Sequence, residues 1–288
     1  MLIETHAHLD YPEFAPDFSD VLRRAEEAGV TRIITIGTSL ESSRRAIELA
    51  EQHPNIFAVV GVHPTLEDAP DDVMTPLREL AKHPRVVAIG ETGLDYHRLP
   101  SALVAKERHA QVFSSALRSD TEEETEALIH DGAYKAKQAS MFQQQLDLAV
   151  ELGLNVVVHQ RDAWDDTLEL MQPYAGRLRG VFHCFGGTME QADEVLALGH
   201  LISFTGIVTF KNGAEVRDVA AKIPLETFMV ESDCPYLAPV PFRGKRCEPA
   251  YTRLVADCIA GARGISVEEL ARATTATADQ FFKFNVPK

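Results

Sequence analysis

Ile3-Glu4-Thr5-His6-Ala7-His8-Leu9-Asp10 carries an apolar start directly into a His-x-His pair. On a β-strand, residues i and i+2 face the same way, about 6.5 Å apart along the chain. His6 and His8 would then aim two imidazoles at one point, and neutral imidazole is the commonest metal ligand. Two histidines at a strand end can equally be polar rim residues. The choice depends on what the rest of the chain brings to them.

Outward from this stretch, short apolar runs alternate with amphipathic ones. Strand-like runs follow at 32–38 (RIITIGT), 56–62 (IFAVVGV), 86–89, 156–158, 180–182, 201–204 and 228–230. Between and after them, helical patterning covers 16–29, 40–53, 71–83, 139–153, 163–174, 189–199, 214–223 and 249–263. Pro76 inside 71–83 predicts a kink or a later start. Ser266, with Glu269 three residues on, has capping-box spacing for a terminal helix. Eight strand-like runs separated by helices predict an α/β fold with a parallel sheet, closed as a (β/α)8 TIM-type barrel. A doubly wound open sheet is the alternative, but it would spread along one edge the polar residues that end strands one, four, five, six and eight. A barrel gathers them at its C-terminal mouth.

No linker composition or repeat divides the chain, so one barrel domain is expected over 1–288, with a long insertion after the fourth strand at about 98–138. Within it, 119–126 (SDTEEETE) reads as a solvated loop or a helix start. Hydrophobic residues make up 45% and charged residues 25%, ordinary values for a globular chain. There is no run long enough for a membrane span and no export signal, and the four cysteines lack C-x-x-C spacing. A cytoplasmic location, no membrane and no obligate protein partner are the expectations. The net charge of −15 disfavours a long grip on duplex DNA, which depends on neutralising many phosphates. Any nucleic acid should be held locally, at an end.

The strand-end residues His6, His8, Glu91, His159, His183 and Asp233 form a joint pattern that each alone would not. Four imidazoles and two carboxylates converging at one mouth predict a metal centre. They are too many for one tetrahedral ion and suit two ions about 3.5–4 Å apart. Glu91, from the middle strand, is the natural bridge through its two oxygens. On ligand softness the set favours Zn²⁺, Mn²⁺, Co²⁺ or Fe²⁺ over Mg²⁺. Such ions bring bound water near neutral pKa, and Asp233 is the carboxylate best placed to orient it or take its proton. Asp95 is expected to brace a ligating histidine, and Cys184 and Cys234 to pack. Phosphate contacts are expected from Arg161, Arg243, Lys245 and Arg246, with His63 either touching substrate or packing.

Several ordered motifs carry a resemblance: Thr5-His6-Ala7-His8-Leu9-Asp10, Gly61-Val62-His63-Pro64, Gly90-Glu91-Thr92-Gly93-Leu94-Asp95-Tyr96, His159-Gln160-Arg161-Asp162-Ala163, Phe182-His183-Cys184-Phe185-Gly186-Gly187, Glu231-Ser232-Asp233-Cys234-Pro235-Tyr236-Leu237 and Arg243-Gly244-Lys245-Arg246. Together they resemble the TatD-type metal-dependent deoxyribonucleases of the amidohydrolase superfamily over nearly the whole chain. The resemblance implies a barrel, divalent metals on His6, His8, Glu91, His159, His183 and Asp233, and hydrolysis of DNA, often from the 3′ end. It also implies Mg²⁺ or Mn²⁺ as the working ion, and Mn²⁺ satisfies both arguments. Asn155, Gln160, Ser232 and Cys247 depart from the family's pattern without removing a ligand. The expected partner is DNA, as short or single-stranded ends. Hydrolysis of a small amide, lactone or aminoacyl ester on the same metals is the competing function, because fold and metals do not fix the substrate.

Overall fold

The computed structural model describes residues 1–97, 99, 101 and 121–284, with side chains described from 130 onward in the second segment. Much of the insertion expected at 98–138 therefore lies outside the described residues. Eight parallel strands follow one another in sequence order: β1 (Leu2–Ala7), β2 (Val30–Ile36), β3 (Ile56–Val60), β4 (Val86–Asp95), β5 (Asn155–Arg161), β6 (Gly180–Phe182), β7 (Leu201–Phe204) and β8 (Phe228–Val230). The last strand meets the first: Asp233 N donates to His6 O (3.0 Å), His8 N to Cys234 O (2.9 Å) and Thr5 Oγ1 to Val230 O (3.0 Å). The sheet is a (β/α)8 barrel, as the alternation predicted.

The helices are α1 (Phe18–Glu27), α2 (Leu40–Gln52), α3 (Met74–Leu80), α4 (Thr121–Leu152), α5 (Trp164–Met171), α6 (Met189–Ala197), α7 (Ala214–Lys222), α8 (Thr252–Arg263) and α9 (Val267–Phe282). Differences from the sequence reading have local causes. Residues 12–17 form a separate 3-10 turn before α1, with Pro12 and Pro16 fixing φ. The helix around Pro76 starts late, so that proline falls in its first turn, where its missing N–H is harmless. Pro173 ends α5 in a 3-10 turn. The Ser266 cap is half a box: Ser266 Oγ accepts the Glu269 N–H. The full reciprocal box stands at Thr188 and Gln191, on α6. Helix α4 reaches back to Thr121, the helix-start reading of the acidic stretch.

Period-two alternation sorts the strand side chains into two apolar layers. Ile3, Ile34, Ile36, Phe57, Val59, Val87, Val157, Val181, Leu201 and Met229 fill the barrel, one or two from each strand. Ile33, Ile56, Ala58, Val156, Val158, Phe204 and Phe228 face the helices instead. Phe281 and Phe282 at the end of α9 join the inner group, and Asn155 Nδ2 donates to Phe281 O at 2.6 Å. One end of the barrel is thereby filled with hydrocarbon, which leaves its polar residues to the other.

Candidate metal centre

At the C-terminal end of the strands the packing turns polar. His6 lies in β1, Glu91 in β4 and His159 in β5, while His8, His183 and Asp233 lie just beyond β1, β6 and β8. Gly93 shows how these ends are drawn together: its φ is +145° and a Cβ there would stand 1.9 Å from His159 O. Only glycine permits that approach, and it sets Glu91 Oε1 2.9 Å from His159 Nδ1. Asp233 takes a left-handed φ of 56°, in a turn closed by Tyr236 N donating to Asp233 O at 2.9 Å.

The donors fall into two sets that share Glu91. In the first, His6 Nε2 and His8 Nε2 are 3.3 Å apart. Glu91 Oε2 lies 3.5 and 3.7 Å from them, and Asp233 Oδ1 lies 3.7 and 3.6 Å from them. Ligands at 2.0–2.1 Å around a tetrahedral ion stand about 3.3–3.4 Å from one another, so this spacing is that of a coordination polyhedron. In the second set, Glu91 Oε1 lies 2.9 Å from His159 Nδ1 and 2.7 Å from His183 Nε2, which are themselves 3.2 Å apart. His6, His8, Glu91, His183 and Asp233 are all buried.

The outer partners orient the rings for the same purpose. His8 Nδ1 faces Ile36 O at 3.3 Å, so it carries the proton and leaves Nε2 a bare lone pair. His159 Nε2 faces Asp95 Oδ2 at 3.1 Å, which frees Nδ1; Asp95 is the brace the sequence suggested. Burial by itself pushes the Glu91 carboxyl up, but the charge on His183 and the hydrogen bonds from His159 and His183 outweigh it and hold it well below the usual carboxylate range. Burial likewise lowers His183, and Glu91 and Glu231 more than reverse this, raising it well above an ordinary histidine. Positive charge is thus favoured between these donors. The His6 Nδ1 and His183 Nδ1 atoms are buried without a hydrogen-bond partner, consistent with rings placed for what their Nε2 atoms bind. Donor chemistry and electrostatics fit bound divalent cations, and the spacing of the first set fits ligands around one of them.

Around the centre opens a cavity of about 1100 Å³. His63 and Arg161 line it. Thr65 N donates to His63 Nδ1 at 3.2 Å, so the neutral ring carries its proton on Nε2, 3.5 Å from Glu91 Oε1. That makes His63 a donor rather than a ligand. Arg243, Lys245 and Arg246 do not line the cavity. Arg243 lies over the Phe210 ring at 3.7 Å and Lys245 is exposed. For Arg246 the expected phosphate contact gives way to a tether: its guanidinium pairs with both Asp17 oxygens (2.7 and 2.8 Å) and with Glu248 (2.8 Å). Two carboxylates and the Glu13 carbonyl already use its donors.

Sequence reading overlooked several supports. Glu231 accepts from Cys184 N at 2.7 Å and lies 3.6 Å behind His183 Nδ1. Gln138 pairs with both backbone groups of Asp95, and Gln145 with both of Val62, while Gln145 Nε2 also donates to Thr92 at 2.7 Å. The available signal was two glutamines, two helical turns apart, on the face of α4 that also buries Met141, Phe142 and Leu146.

Comparisons with known proteins agree with this geometry. Residues 3–283 match the sequence model of the TatD related DNase family. A Bacillus subtilis protein described as an uncharacterized metal-dependent hydrolase, YabD, is 35% identical over 287 residues, covering 99% of this chain and 100% of that one. The 3′-5′ ssDNA/RNA exonuclease TatD of Erwinia billingiae is 32% identical over 290 residues, covering 98% and 99%. The crystal structure of YJJV, a TatD homologue from Escherichia coli K12, superposes with a TM-score of 0.81 at 29% identity over 99% of this chain and 98% of that one. A family match over residues 3–283, with relatives at 32–35% identity across almost the whole chain, leaves one conclusion: the chain belongs to the TatD related DNase family of metal-dependent hydrolases.

Proposed function

We propose that this hydrolase cleaves DNA phosphodiester bonds, as a 3′-5′ exodeoxyribonuclease acting on single strands or frayed ends. The observation that carries this reading is Glu91, whose two oxygens face separate donor sets on the wall of a cavity of about 1100 Å³. Two divalent ions held there, with Mn²⁺ or Mg²⁺ as working ions and Zn²⁺ as a further option, would supply Lewis acidity and a nucleophile at neutral pH. On these distances His6, His8, Asp233 and Glu91 would hold one ion, and Glu91, His159 and His183 the other. The chain's own groups divide the remaining work. Asp233 takes the proton of the attacking water, Arg161 pairs with a phosphate, and His63 offers Nε2–H to a phosphoryl oxygen. Arg161 is the only lysine or arginine among the described residues lining the cavity. With a net charge of −15 over the whole chain, that single contact suits a strand end and not a wrapped duplex.

The test is cleavage of a 5′-labelled single strand by metal-depleted protein with each divalent ion restored. A metal-dependent ladder that shortens from the 3′ end is expected, slower on blunt duplex. Turnover of cyclic amides or lactones, with no phosphodiester cleavage under any ion, would replace this reading with the amidohydrolase one.

A further inference from the structure

We propose that Tyr236, backed by Tyr11, is a stacking platform for the nucleobase beside the scissile phosphodiester; this rests on the nuclease reading and adds what the site recognises. Large hydrophobic side chains are almost all covered in the described residues, and only Met1, Tyr236 and Val240 are exposed. Met1 is a chain end, but Tyr236 lines the cavity and is 52% exposed there. An aromatic ring kept in water at the mouth of a polar site has a surface to offer.

Its placement is tied to the metal centre through two short links. The Tyr236 amide donates to the carbonyl of Asp233, a metal donor, at 2.9 Å. The following residue packs so tightly on the barrel that a Cβ at Gly206 would stand 2.1 Å from Leu237 O. The ring is therefore carried by a loop with little room to shift. Tyr11 stacks on the ligand His8, with centroids 4.9 Å apart and planes 23° apart, so one of its faces is already taken. Tyr236 stands nearly perpendicular to Tyr11 (6.2 Å, 85°) and 6.4 Å from the His8 ring. Together the two tyrosines make a corner: a flat ring can lie on Tyr236 and turn its edge to Tyr11.

A nucleobase is the occupant this corner suits. It is planar, uncharged and joined to the reacting phosphate by a single sugar, and the corner begins at a residue touching the metal set. The cavity is also lined by Asp162 and Asp165, which would repel a further phosphate but tolerate a neutral base. Stacking on an aromatic side chain is sequence-tolerant, because every base has a π-face. The same corner also favours an unpaired end, since a base inside a duplex has both faces covered.

The experiment compares a single-stranded oligonucleotide with versions carrying a stable abasic residue at the 3′-terminal or the penultimate position. Wild-type protein and Tyr236→Phe should cleave the intact strand about ten-fold more efficiently than one of the two abasic strands, chiefly through KM. Tyr236→Ala should bring that ratio close to one. Taking the ratio within each variant cancels any loss of folded protein. Equal cleavage of all strands by the wild type, or a ratio that survives in Tyr236→Ala, overturns the stacking role and leaves the nuclease reading intact. Cleavage of no strand overturns both.

Discussion

The carboxylate of Glu4 accepts the backbone N–H of Ser232, 228 positions away in sequence, at 3.0 Å. The same oxygen accepts the N–H of His6 at 2.8 Å, and the other contacts Thr252 Oγ1. One side chain thus joins the strand that carries His6 to the segment that carries Asp233. Burial pushes the Glu4 carboxyl up to about 8, so it is neutral at pH 7. Glu4→Gln supplies the same acceptor and should keep stability within about 1 kcal/mol. Glu4→Ala strands two buried amides and should cost about 3 kcal/mol, with fewer metal equivalents bound. Urea denaturation with metal analysis checks both. Equal stability of the two variants would remove Glu4 from this role.

Glu91 serves both donor sets, so its substitution should cost more metal than loss of any one histidine. Saturating Mn²⁺ should raise the Tm of metal-depleted protein by about 5 °C or more, because a ligand bound only by the folded state stabilises it. His159→Ala should keep part of that rise, and Glu91→Gln should lose most of it. Retention of two metal equivalents by Glu91→Gln would defeat the bridge.

His200 gives the acid limb of stability a definite cause. Its ring is buried, Nδ1 accepts the Gly180 N–H at 3.1 Å, and burial lowers its pKa from 6.5 to about 4. The unfolded chain therefore takes up this proton first as pH falls. The stabilisation is full above 6.5 and is lost on descent through 4, a change of about 3 kcal/mol. His200→Asn, which keeps an acceptor near Nδ1 and cannot titrate, should flatten this limb in denaturation curves taken from pH 4 to 7. An unchanged pH slope would show that other groups set it.

Arg161 and Arg246 should separate cleanly. Arg161→Ala should raise the oligonucleotide KM about ten-fold while leaving the melting temperature near wild type. Arg246→Ala breaks the tether to Asp17 and Glu248 and should cost about 1 kcal/mol, since the pairs are partly exposed, with KM within about two-fold. The opposite ordering of the two KM effects would return the 243–246 run to the substrate.

Much of the candidate metal centre was legible in the chain because its code is local. His6 and His8 share a strand face, and Glu91, His159, His183 and Asp233 each end an apolar run. A parallel barrel has one mouth, so naming the strand ends is nearly the same as naming the site. The supports were hidden for the complementary reason. Glu4, Gln138, Gln145 and Glu231 act on backbone groups distant in sequence, and no spacing rule connects a helix glutamine to the carbonyl it will meet. The basic run misled for a related reason, because a formal charge does not tell which acid it will face.

Periodicity and residue type alone determined the alternating elements, the closed barrel and the six candidate donors, since both follow from side-chain direction along a strand. The tertiary structure decided the rest: that Glu91 divides its oxygens between two donor sets, that His63 points a proton and not a lone pair, that Arg246 is spent on Asp17, and that Tyr236 stays in water beside the ligands. Those outcomes turn on contacts of a few ångströms between segments far apart in the chain, which only folding brings within reach.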